Sequence, residues 1–121
     1  PAIEEKEESQ LTKESEGDKE LEDEKAKLLL YLQQGVVLGD YAEALHIPER
    51  KLSVFINSTY GVSFKRWVNN KRVEYATEQM AKHPDYTMER IAELSGFAHK
   101  SHFCKIFREI TGGSFTEYKN R

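Results

Sequence analysis

The sequence predicts an all-α fold of about seven helices, two helix-turn-helix units joined by a long connecting helix. Three observations lead there. "GVSFKRWVNN" at 61–70 and "GGSFTEYKNR" at 112–121 repeat each other fifty-one residues apart, pairing Gly61, Ser63, Phe64, Trp67 and Asn69 with Gly112, Ser114, Phe115, Tyr118 and Asn120. A repeat at such a period marks a duplicated structural unit. Apolar residues recur at helical spacing, and no alternating run is long enough for a sheet. A serine cap, Ser63 or Ser114, stands at the same place in both copies.

The repeat extends upstream. Leu52, Phe55, Ile56 and Thr59 stand at the same offset from Phe103, Ile106, Phe107 and Ile110. Further back, Ala42-Glu43 aligns with Ala92-Glu93 and Ile47 with Phe97 only if the second copy carries one extra residue in a turn.

The elements follow in order. A first helix over about 20–34 buries Leu28, Leu29 and Leu32 and stops at Gly35. Asp40 with Glu43 spells a capping box for a short helix ending at Leu45, and Pro48 suits the first turn of a helix over about 48–59. After Gly61, Ser63 caps a long helix over about 64–82 that carries Trp67, Val68, Val73, Ala76 and Met80 up to His83-Pro84. Thr87 opens the second copy with a helix to Ser95, Gly96 turns the chain, and a helix over 99–111 follows. Ser114 with Glu117 caps a short terminal helix. Within each copy a short helix, a tight turn and a second helix cross closely at a small residue, Ala42 or Ala92, as a helix-turn-helix requires.

Composition bounds the function. A chain of 121 residues is one small domain with no room for a large enclosed active site. The single cysteine, Cys104, excludes an internal disulfide. No stretch approaches the roughly 18 apolar residues of a membrane span, and the start, "PAIEEKEESQ", does not read as a signal peptide, so a cytoplasmic location without membrane contact is expected. The absence of an initiator Met points to a fragment or a processed chain. The net charge of −3 divides unevenly: residues 1–27 hold eleven acids and five bases, net −6, and residues 28–121 hold ten acids and thirteen bases, net +3. Residues 1–27 therefore read as a disordered acidic tether, and 28–121 as the binding domain.

The helix faces suggest what is bound. In the second unit Phe103, Ile106, Phe107 and Ile110 face the core, which leaves Ser101, Cys104, Lys105 and Arg108 outward, flanked by His99, Lys100 and His102. In the first unit Leu52, Phe55, Ile56 and Thr59 point inward, leaving Arg50, Ser53, Val54 and Asn57 outward with Lys51 beside them. Such faces suit a DNA major groove, where Arg and Lys address guanine, Asn adenine, and an apolar group the thymine methyl. Val54 fits the last role.

"GFAHKSHFCKIFREITGGSFTEYK" at 96–119 resembles the signature of the AraC/XylS family of bacterial transcription regulators, through Gly96, Phe97, Ser101, His102, Phe103, Phe107, Arg108, Gly112 and Tyr118. The resemblance spans about 28–121, including "RVEYA" at 72–76. Ser114-Phe115 departs from the usual Thr-Pro, and Lys119 stands where Arg is common. The Ser-Phe form repeats Ser63-Phe64, so it keeps both the cap and an aromatic anchor, and the terminal helix should still dock. The resemblance implies a monomeric pair of units whose second helices enter successive major grooves. It places base contacts at Arg50, Ser53 and Val54, and at Lys100, Ser101, Cys104 and Lys105. The partners it implies are double-stranded DNA, RNA polymerase and a sensor domain upstream.

Rival readings have less to stand on. An enzyme needs a nucleophile, a base and a pocket in one place, and no such set, nor any cofactor motif, is present. His99, His102 and Cys104 form only a partial metal set, because His99 at the helix start points away from Cys104. Lys105 beside Cys104 is the sole support for a redox role. A protein-interaction module of helix-turn-helix ancestry remains the alternative, resting on the modest +3 surplus and on Glu109 at the edge of the binding helix.

Overall fold

The computed structural model describes residues 30–120, and among them the chain is helical with no strand. A 3₁₀ turn, Leu30–Leu32, precedes six helices: α1 (Leu38–Leu45), α2 (Glu49–Tyr60), α3 (Phe64–Lys82), α4 (Met88–Leu94), α5 (Lys100–Thr111) and α6 (Phe115–Lys119). Helices α1–α2 and α4–α5 are the two helix-turn-helix units, and α3 joins them.

The three serine and threonine caps stand where the sequence puts them. Ser63, Thr87 and Ser114 accept from the backbone N–H of Arg66, Arg90 and Glu117 at 3.2, 3.1 and 3.1 Å. Each satisfies one of the orphan donors of a helix start. Both second helices end at a glycine, where the N–H of Gly61 or Gly112 donates to the carbonyl of Asn57 or Arg108 at 2.9 Å.

The two turns share a hydrogen-bond scheme. In the first, His46 N–H donates to the Glu43 carbonyl and Ile47 N–H to that of Ala42; in the second, Gly96 and Phe97 donate to Glu93 and Ala92. The turn residue is left-handed in both, φ 58° at His46 and 87° at Gly96. Gly adopts this without penalty, whereas His pays for its Cβ. The extra residue of the second copy lies just beyond, where Ala98-His99 replaces Pro48 before the next helix.

Four expectations are corrected. The first helix appears among the described residues only as the 3₁₀ turn, and its remainder, with Leu28 and Leu29, lies outside them. Leu32 is half-buried. Arg72 satisfies two carbonyls of this segment, with Nε donating to Tyr31 O at 2.6 Å and Nη2 to Gln33 O at 2.9 Å. Asp40 is not the N-cap of α1 but its third residue. Its carboxylate accepts from Val37 N–H at 2.9 Å, so the helix begins a turn earlier than expected. Pro48 is the N-cap of α2 rather than part of its first turn. Thr59 is exposed, and the inward place is taken by Tyr60, whose ring packs on Phe55 and Trp67 at 6.2 Å each.

Two cores result. The first gathers Tyr31, Tyr41, Ala42, Leu52, Ile56, Trp67 and Val68; the second gathers Val73, Ala76, Ile91, Ala92, Phe97, Phe103, Ile106, Phe107 and Phe115. Helix α3 serves both, giving Trp67 and Val68 to one and Val73 and Ala76 to the other. Phe115 sits between Phe103 and Phe107 at 6.0 and 6.1 Å, so α6 docks through the residue that replaces the usual proline. Phe64 plays the matching part beside Tyr41 and Trp67, at 5.6 and 6.3 Å.

Candidate nucleic-acid interface

Helices α2 and α5 each bury one stripe and expose the other. On α2, Leu52 and Ile56 are sealed in the core while Arg50, Lys51, Val54 and Asn57 are exposed and Ser53 is half-buried. Val54 is 60% exposed, one of two large apolar residues left open among the described residues. On α5, Phe103, Ile106 and Phe107 are buried while Lys100, Ser101, His102, Lys105 and Arg108 are exposed, as is His99 at the N-cap.

Some of these groups already have partners. Asn57 Nδ2 donates to the Ser53 carbonyl at 3.0 Å, which engages one of the two N–H donors of its amide. Lys100 Nζ lies 3.1 Å from Glu89 Oε1. A backbone hydrogen bond and then Lys100 hold the Glu89 carboxyl below its usual range. An exposed pair of this kind is weak and exchanges readily for a phosphate or a base.

Cys104 sits less openly than the helical wheel suggests. It is half-buried, and its Sγ lies 3.2 Å from Met88 Sδ, in a shallow cleft of about 340 Å³ edged by Lys105, Arg108 and Phe115. No group of three or more His, Cys, Asp or Glu among the described residues could hold a metal ion.

His102 lies in a cationic neighbourhood. Burial first, then Lys65, Arg72 and Lys105, push its pKa below the ordinary histidine range, with Glu109 acting the other way. Its ring meets Phe97 edge-on at 5.5 Å. Lys65 belongs to the start of α3, so the first turn of the connecting helix adds positive charge beside the α5 face. Arg66 Nη1 lies 3.8 Å from Glu109 Oε2 and offsets the acid at the edge of α5. Neither interaction is visible in a helical wheel, because each joins separate elements.

A family model described as a helix-turn-helix domain matches residues 41–121. The chain is 32% identical over 79 residues to the regulatory protein PocR of Salmonella typhimurium, covering 65% of this chain and 26% of that protein. It is 30% identical over 80 residues to the HTH-type transcriptional regulator YijO of Escherichia coli, covering 66% and 28%. The chain thus spans about a quarter of the length of these relatives. Among solved structures, it is similar to the C-terminal domain of the two-component response regulator yesN from Fusobacterium nucleatum, with TM-score 0.73 and 19% identity over 86% of this chain and 98% of that one. The C-terminal domain of AraT, a response regulator from Geobacillus stearothermophilus, gives TM-score 0.67 and 27% identity, over 74% of each. The DNA-binding domain of the global transcriptional factor AdpA, solved with a target DNA, gives TM-score 0.69 and 22% identity over 83% and 89%. Among the described residues no helix is long and apolar enough to cross a membrane.

Proposed function

Because the chain belongs to the AraC/XylS family and carries its DNA-binding domain of paired helix-turn-helix units, we propose that the exposed stripes of α2 and α5 read two successive major grooves on one side of a duplex. The observation that carries this reading is the duplication itself. Both units hold a second helix against its own core through equivalent turns, and both present cationic and polar residues at corresponding positions. Arg50, Ser53, Val54 and Asn57, with Lys51 beside them, address one block. Lys100, Ser101, Cys104 and Lys105 address the other, with His99, His102 and Arg108 at its margins. Cys104 contributes its half-exposed edge.

Helix α3 is roughly 28 Å long at 1.5 Å per residue, which suits two reading heads about 34 Å apart, one DNA turn. The two stripes differ in chemistry, so the site is two unlike blocks rather than a palindrome, and one chain supplies both halves. Footprinting with a spacing series tests this. Inserting about five base pairs between blocks about 10 base pairs apart turns one onto the opposite face and should abolish two-block binding. Affinity indifferent to the insertion, or a palindrome that needs two chains, would limit reading to one unit.

A protein-interaction module keeps the modest +3 surplus as its support, while Glu109 has Arg66 3.8 Å away. Salt separates the two readings, because groove binding releases condensed counterions and weakens steeply as salt rises. The much greater length of the relatives supports an upstream sensor domain in the full protein. We place RNA polymerase as the second partner and the cytoplasm as the location, both on family grounds.

A further inference from the structure

We propose that Arg72, Gly96 and the incoming segment Tyr31–Gln33 form a clasp that sets the orientation of one unit relative to the other, and thereby the block spacing the domain accepts. The link to spacing rests on the two-block reading above; the clasp itself rests on contacts made by none of the proposed reading residues.

Arg72 lies on α3 where the helix passes from one core to the other, between Val68 and Val73. It is 8% exposed, and burial lowers its pKa, so its charge must be met by what surrounds it. The guanidinium meets that need on two sides. Its fork donates to the Tyr31 and Gln33 carbonyls at 2.6 and 2.9 Å, while its carbon stands 5.4 Å from the Phe97 ring centre. Tyr31 is anchored in the first core and Phe97 in the second. One side chain therefore ties a backbone fixed to one unit to a ring fixed to the other.

Gly96 meets the same segment at the residue between those two carbonyls. A Cβ there would come within 2.7 Å of the Leu32 carbonyl oxygen, so the turn of the second unit lies directly against the segment that Arg72 grips. Lysine cannot replace the arginine, because a single ammonium has no planar fork for two carbonyls and stacks poorly on an aromatic ring. The Arg66–Glu109 pair that also joins the units is exposed and longer, and holds them weakly by comparison.

The test compares the parent chain with Arg72→Lys, Gly96→Ala and the double variant, in two arms. Spin labels on Glu43→Cys of α1 and Glu93→Cys of α4, in a Cys104→Ser background, report the inter-unit distance without DNA. The parent should show one narrow distribution and each variant a broadened one; unchanged widths would overturn the clasp. In the second arm, each variant should bind an isolated block within about twofold of the parent but the paired blocks about tenfold more weakly, with a flatter dependence on spacing. Equal weakening on single and paired blocks would mean Arg72 and Gly96 are merely structural. The double variant should be little worse than the poorer single, because both loosen the hold on one segment. Should Arg72→Lys fail to fold, Gly96→Ala attacks the clasp at the Leu32 carbonyl. A parent indifferent to spacing would count against the two-block reading alone, and the label widths would still judge the clasp.

Discussion

Arg50, at the start of its stripe, and Lys105, in the middle of its own, are exposed cations and are expected to read bases. Replacing either with alanine should cost about 1–3 kcal/mol on the correct site and relax preference at one base position of its own block, measured by binding to singly substituted duplexes. Lys65 stands off both stripes, so its alanine variant should weaken all sequences alike and reduce the salt slope by about one. His102 adds a dependence on pH. Because burial and then Lys65, Arg72 and Lys105 lower its folded pKa, its contribution to stability is present above the unfolded value of about 6.5 and is lost as pH falls through the folded one. A nearby phosphate reverses the preference and favours the proton. DNA affinity should therefore rise, relative to a His102→Gln variant, as pH drops from about 7.5 to 5.5. Parallel titrations of the two proteins would show His102 to be a bystander. Arg72 was beyond sequence reasoning altogether, since its partners lie 39 and 41 residues away. Likewise the half-burial of Cys104 depends on Met88, sixteen residues back on another helix.

Among the elements, α6 is the shortest α-helix and makes its case through one ring. Phe115→Ala should cost about 3–5 kcal/mol as a core cavity, release α6 and weaken the α5 block more than the α2 block, read by thermal melting and by binding to each block. Equal loss on both blocks would mean that α6 supports the whole domain. From Phe64 onward the helices were legible because their boundaries are written locally, in Ser63, Thr87, Ser114 and the glycines that follow α2 and α5. Near the start the signals were tertiary or ambiguous. Asp40 can cap from the N-cap or from the third position, and only the fold of Val37 decides between them. The segment at Leu30–Leu32 is met by Arg72, which no window around residue 30 contains. The slipped register of the repeat was legible, and the matching hydrogen bonds of His46 and Gly96 give its physical basis. The inward place of Thr59 was misread, because periodicity cannot rank it against Tyr60 beside it.

At the level of the molecule, the proposed boundary near residue 28 separates a tail of net −6 from a domain of net +3. Deleting residues 1–27 should leave DNA affinity equal or higher, most visibly at low salt, because the tail opposes phosphates or competes for the basic stripes. A large loss with the fold intact would make the tail part of the site. The two cores have a longer reach. Among the described residues no buried apolar side chain belongs to both, although one helix serves each in turn and Arg72 bridges them. Substitutions in one core therefore add to those in the other instead of compounding them. A promoter and its regulator can then diverge half a site at a time, one head keeping its block while the other drifts to a new sequence.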